Sequence, residues 1–95
     1  MKITLHTILG IQQAIGQKRT EIDLPDGATV KDFIAYAKQR WGEKLSANLF
    51  DPESGDVLPH VRIMVNGQTI NYLKGTETPL KEEDEILILP PASGG

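Results

Sequence analysis

Cysteine is absent from the 95-residue chain. Its absence removes disulfides, a thiolate nucleophile and any cysteine-ligated metal centre, and the two histidines, His6 and His60, stand too far apart in sequence to mark a metal site. No metal is expected. There is also no run of about 18 apolar residues able to span a bilayer, and the N-terminal stretch lacks the charged start, apolar block and small-residue cleavage site of a secretory signal. The sequence therefore predicts a cytoplasmic protein with no membrane segment. Charge of one sign is scarce too: 10 Lys and Arg against 13 Asp and Glu leave a net charge of -3, with both signs interspersed. The electrostatic footprint of a nucleic-acid binder is missing. What is present, 39% hydrophobic residues, suffices for the core of one small domain and leaves little chain for a large catalytic cleft.

Periodicity supplies the elements. KITLHTIL at residues 2–9 sets Ile3 and Leu5 against Lys2, Thr4 and His6, and TEIDLP at 20–25 sets Ile22 and Leu24 against Glu21 and Asp23. Both follow the period of two that marks a strand buried on one face. The GIQQAIGQKR between them reads as the loop of an opening hairpin. In PDGATVKDFIAYAKQRWG the breaker Pro25-Asp26-Gly27 is followed by Thr29 and Asp32, a variant capping box, so a helix starts there. Val30, Phe33, Ile34, Ala37 and Trp41 then fall on one stripe and Gly42 suits the C-terminal cap. EKLSANLF predicts a short helical turn returning Leu45 and Leu49 to the core. VRIMVNGQTINY carries Asn66-Gly67, the pair most able to take the two left-handed conformations of a tight hairpin. A polar connection leads to a final strand at about 86–89, closed by Pro90 and Pro91. The order strand, strand, helix, strand, strand, strand predicts an α+β β-grasp domain like that of ubiquitin. It would have a mixed sheet of four to five strands with one helix across one face, spanning residues 1–90, and a flexible extended tail over 91–95.

The last strand is apolar at both parities. Glu85 shares its parity with Leu87 and Leu89, and an unpaired carboxylate is costly to bury, so Ile86 and Ile88 are assigned to the core and the leucines to the open face. By the same reasoning Val61, Ile63 and Val65 face inward while Arg62 and Met64 face outward. If these strands are neighbours, Met64, Leu87 and Leu89 form an exposed apolar patch edged by Arg62, of the kind that marks a docking site.

The stretch PPASGG at 90–95 has chemistry of its own. Proline fixes φ and cannot pair back into the sheet, so six extended residues project about 20 Å. A carboxylate is a poor electrophile until coupled to AMP from ATP. Glycine, lacking Cβ, can enter a narrow channel and take torsions closed to other residues. With these residues the chain resembles the ubiquitin-like sulfur carriers, which include the small subunit of molybdopterin synthase (MoaD), the thiamin sulfur carrier (ThiS) and the cysteine-synthesis carrier (CysO). PPASGG after EDEILIL is similar to the molybdopterin-synthase type; TIL, GQK at 16–18, LFDPESG, VRIMVNG and ILP are similar to the cysteine-synthesis carrier. The chain departs from many relatives by having Glu83-Asp84-Glu85 where they have Gly-Asp-Glu or Gly-Asp-Ser, so the turn there is expected to differ. It also lacks an aromatic near Thr7 and Ile8.

The resemblance implies that Gly95 is adenylated and thiocarboxylated, with Gly94 beside it in the channel of a ubiquitin-activating-type adenylyltransferase. It further implies that Leu87 and Leu89 belong to the surface the two partner enzymes share; together with Arg62 and Met64 from the parity reading, and Pro90 and Pro91 next to them in the chain, they make the expected docking surface. ATP would be used by that partner, with no cofactor bound by the chain itself. The sulfur acceptor would be a molybdopterin-synthase large subunit or a cysteine synthase. A ubiquitin-like modifier joined to lysines through Gly95 is the alternative, and an interaction module with an inert tail a third. Other motifs carry less. GQKRTE lacks the spacing of a phosphate loop, and DPESGD lacks that of a calcium loop and reads as turn chemistry. His6, Lys18, Arg19 and Lys74 read as solvated groups, and Trp41 as core.

Overall fold

The computed structural model describes residues 1–8, 15–42, 49, 53, 58 and 61–89. β1 (Lys2–Thr7) and β2 (Arg19–Asp23) form the opening antiparallel hairpin, in the register Ile3↔Ile22 and Leu5↔Thr20. The ladder persists beyond β2, because the Leu24 amide donates to the Met1 carbonyl at 2.9 Å. Ile3, Leu5 and Ile22 are buried as their parity requires. Thr4, on the opposite parity, is buried too, since β1 has neighbours on both sides. Residues 9–14 of the predicted loop lie outside the described residues. Ile15 at its end is helical and packs against the core, an apolar contact that a loop reading of GIQQAIGQKR did not include.

α1 (Val30–Trp41) begins at the predicted cap. Thr29 is extended, and Asp32 Oδ2 accepts from the Thr29 amide at 2.8 Å and from its hydroxyl at 3.3 Å. The shorter Asp reaches because it sits only three residues ahead, within one helical turn. Two further bonds seat this helix end on the body. The Val30 amide donates to the Thr78 carbonyl at 3.0 Å and the Leu80 amide to the Ala28 carbonyl at 2.9 Å. Gly42 ends the helix at φ 56, its amide on the Lys38 carbonyl at 2.8 Å. Val30, Phe33, Ile34 and Ala37 are buried. Trp41 is half-buried: it meets Tyr36 edge to face with centroids 6.2 Å apart, and Arg40 lies 4.7 Å from its ring.

β3 (Arg62–Val65) turns into β4 (Gln68–Thr69) through Asn66 at φ 51 and Gly67 at φ 84, the two left-handed residues that the dipeptide predicts. β4 is shorter than the sequence pattern implies. After Thr69 the chain enters a 3-10 turn at Ile70–Tyr72, which carries Ile70 into the core and leaves Tyr72 exposed. The connection that follows is not purely polar, since it forms a second 3-10 turn at Gly75–Glu77 and buries Thr78 and Leu80. β5 (Glu85–Leu89) runs parallel to β1 and antiparallel to β3, giving the five-stranded order β2-β1-β5-β3-β4. One core joins the inward residues of the sheet to the buried face of α1 and to Leu49. This is the β-grasp arrangement. Leu45 lies outside the described residues, as does most of DPESGD.

The approach to β5 is fixed by polar bonds. Glu83 adopts φ 69 and its amide donates to the Lys2 carbonyl at 2.7 Å, so the turn takes the left-handed shape in which glycine is favoured, with Glu in its place. Asp84 is 8% exposed, and its carboxylate accepts from Asn66 Nδ2 at 2.9 Å and from the Lys81 amide at 2.8 Å. Asn66 Oδ1 in turn accepts from the Glu85 amide at 2.9 Å. The β3–β4 turn and the start of β5 are thus tied through two side chains.

Candidate functional site

Among the described residues the β-grasp leaves one sheet face without a helix, and the strand register decides what gathers there. β3 and β5 are neighbours, with Met64 opposite Leu87 and Arg62 opposite Leu89. Ile63, Val65, Ile86 and Ile88 point the other way and are buried. Met64, Leu87 and Leu89 are half-buried and Arg62 is exposed. The apolar patch assigned from parity is therefore contiguous, although its members cover one another enough that none is fully exposed. Directly opposed side chains on one face lie within contact range, which accounts for that mutual cover.

Continuing the register across the sheet places Thr69, Met64, Leu87, His6 and Arg19 in a single row over all five strands. His6 is the member that the sequence reading set aside as a solvated group. It stands beside Leu87, and its Nε2 lies 2.6 Å from Glu85 Oε1. Its shared parity with Lys2 and Thr4 was legible, but its place beside Leu87 follows only from the parallel β1–β5 pairing. Beyond His6 the face becomes charged, with Lys2 Nζ 3.7 Å from Glu21 Oε2. The open face thus carries an apolar patch over β3 and β5, flanked by Arg62 and Glu85, and is ionic over β1 and β2.

A shallow depression lies on this face, lined by His6, Met64, Asn66, Gly67, Glu85 and Leu87. It is partly open to solvent, unlike the enclosed cavities that bury most of a small ligand. Among the described residues no group of three or more His, Asp or Glu could hold a metal ion, and no helix is long and apolar enough to cross a membrane. Pro90, Pro91, Gly94 and Gly95 lie outside the described residues, as does His60. β5 ends at Leu89, one residue before the predicted tail of 91–95, and its Leu87 and Leu89 belong to the patch.

The model of the ThiS family matches residues 7–95. The chain belongs to the ThiS family. This ThiS-family chain is 30% identical to small archaeal modifier protein 3 of Haloferax volcanii, over the full length of both. It is 35% identical over 82 residues to an Archaeoglobus fulgidus protein named for a sulfur-carrier role, covering 86% of this chain and 90% of that one. Among solved structures, SAMP1 from Haloferax volcanii superposes at TM-score 0.86 with 20% identity and full coverage of both chains, which supports the fold. A chain of the Amycolatopsis orientalis BexX/CysO complex superposes at 0.75 with 27% identity, covering 98% of this chain and 99% of that one. The family resemblance read from VRIMVNG, EDEILIL and PPASGG is thereby established. Its members here are small carriers and modifiers.

Proposed function

We propose that this chain is a sulfur carrier whose reactive group is the carboxylate of Gly95. The family match over residues 7–95 carries this reading, and the Met64, Leu87 and Leu89 patch edged by Arg62 supports it. The chain itself is a co-substrate and not a catalyst. A ubiquitin-activating-type adenylyltransferase docks on the open face and receives Gly94 and Gly95 in a channel that a Cβ would obstruct. A Gly95 carboxylate oxygen attacks the α-phosphorus of ATP, forming the acyl adenylate and releasing pyrophosphate. A sulfide-equivalent nucleophile then attacks the carbonyl carbon and AMP leaves, so that one carboxylate oxygen is exchanged for sulfur. The thiocarboxylate passes its sulfur to an acceptor enzyme of the molybdopterin-synthase or cysteine-synthase kind. The similarity to a chain of the Amycolatopsis orientalis BexX/CysO complex supports a carrier that acts through a protein partner.

Intact-mass measurement after incubation with the cognate activator, ATP and a sulfide source tests the proposal. Replacement of one oxygen by sulfur, abolished when Gly95 is deleted, is the expected result. An unchanged mass with an activator active on another carrier would overturn it.

A second reading rests on the full-length match to small archaeal modifier protein 3. The same adenylate, attacked by a lysine amine instead of sulfide, gives an isopeptide. Conjugates that survive denaturant and reductant in cells, and that vanish without Gly95, would establish this role alongside the first.

A further inference from the structure

Among the described residues β2 closes one side of the sheet with no strand beyond it. Its even-numbered residues face β1: the Leu24 amide donates to the Met1 carbonyl, and the Lys18 carbonyl accepts from the Thr7 amide. Backbone direction alternates from residue to residue along a strand, so the amides and carbonyls of Arg19, Glu21 and Asp23 point away from the sheet. All three residues are exposed. A row of outward amides and carbonyls is a template for another strand.

The charges select which strand fits. Lys18-Arg19-Thr20-Glu21-Ile22-Asp23 is basic at its start and acidic at its end. A strand laid antiparallel along this edge therefore finds its match if it is itself basic at its N-terminal end and acidic at its C-terminal end. β2 has that order. We propose that the chain self-associates through β2, two copies pairing antiparallel about a two-fold axis at Thr20.

The axis position follows from the side chains. With Thr20 opposite its counterpart, Arg19 stands opposite Glu21 of the partner subunit, and symmetry repeats the pair. Arg19 and Glu21 are both outward residues, so each pair exchanges backbone hydrogen bonds as well. An axis at Glu21 sets two carboxylates face to face, and one at Ile22 sets Glu21 against Asp23; directly opposed like charges are destabilising. An axis normal to the sheet keeps both helices on one side and both open faces on the other. Arg62, Met64, Leu87 and Leu89 therefore stay accessible, and self-association is compatible with docking. A single short strand pair buries less than the roughly 1,200 Å² of a stable interface, so the dimer is weak and depends on concentration.

Sedimentation equilibrium of the full chain, from tens of micromolar to millimolar, tests this together with the concentration dependence of amide NMR shifts. The expected result is a monomer–dimer equilibrium whose shift changes cluster at residues 17–23. Arg19→Glu alone should weaken association by about tenfold, as should Glu21→Arg, because each brings like charges into opposition. An equimolar mixture of the two variants should restore it, as should both changes in one chain. Arg19 and Glu21 are exposed, and circular dichroism checks that each variant keeps its fold. A monomer at every concentration overturns the proposal. So do single variants that associate like the unaltered chain, or shift changes centred on Met64 and Leu87.

Discussion

Replacing Asp84 by alanine removes a buried acceptor at the junction of three segments. Asp84 is 8% exposed, and its carboxylate takes bonds at 2.9 Å from Asn66 Nδ2 and 2.8 Å from the Lys81 amide. A hydrogen bond to a charged group contributes about 1.5–3 kcal/mol, with the higher values where water cannot replace the lost partner. Asn66 and Lys81 are both exposed, so water can serve part of what is lost, and the expected destabilisation is about 2–3 kcal/mol in total. In a domain of this size that lowers the melting temperature by roughly 10–20 °C. Urea unfolding followed by circular dichroism measures it. Asn66→Gly provides the control, since glycine keeps the left-handed backbone of φ 51 while deleting the side chain. Its cost should be about 1–2 kcal/mol, and the double variant should cost less than the sum by about 1 kcal/mol, because the two single changes delete one shared bond. A loss below about 0.5 kcal/mol for Asp84→Ala, or strictly additive costs, would refute the claim that this pair ties the hairpin to β5.

Other expectations are as direct. Glu83→Gly should stabilise by about 0.5–1 kcal/mol, since φ 69 is strained for a residue with Cβ, and a lower urea midpoint would contradict this. Phe33→Ala, at a residue 1% exposed, should cost about 3–5 kcal/mol by calorimetry and approach full loss of the fold. Leu87→Asp should leave the melting temperature within a few degrees, because the side chain is only half-buried, yet weaken binding to the cognate activator at least about tenfold in a titration. Unchanged affinity would remove the open face from the docking surface.

The elements that were legible in the sequence are those fixed by local chemistry. Parity sorted Glu85, Leu87 and Leu89 from Ile86 and Ile88, and the burial follows it. Thr29 and Asp32 marked the helix start, and Asn66-Gly67 the hairpin, because each needs only neighbours in the chain. Pairing partners were harder to read. The contiguity of Met64 and Leu87 was conditional on strand order, and the approach of His6 to Glu85 spans 79 positions, with no local signature. Asp84 escaped notice for the same reason: within KEEDE it looks like one more solvated acid, and only the fold brings Asn66 to it. The shortness of β4 reflects a tertiary demand, since Ile70 leaves the ladder to reach the core. For the candidate site, sequence and register between them place Arg62, Met64, Leu87 and Leu89, whereas the roles of Gly94 and Gly95 rest on the family.

The two strands farthest apart in the chain, β1 and β5, lie side by side and run in the same direction at the centre of the sheet. A pull applied between Met1 and the segment after Leu89 is therefore directed along both strands in opposite senses. The load would be shared by the whole β1–β5 ladder at once, and failure requires one strand to slide past the other. A hairpin pulled from its open end yields bond by bond instead. A pull on the tail that is opposed at the N-terminus thus loads this ladder in shear, and the body should stay folded while its end is handled.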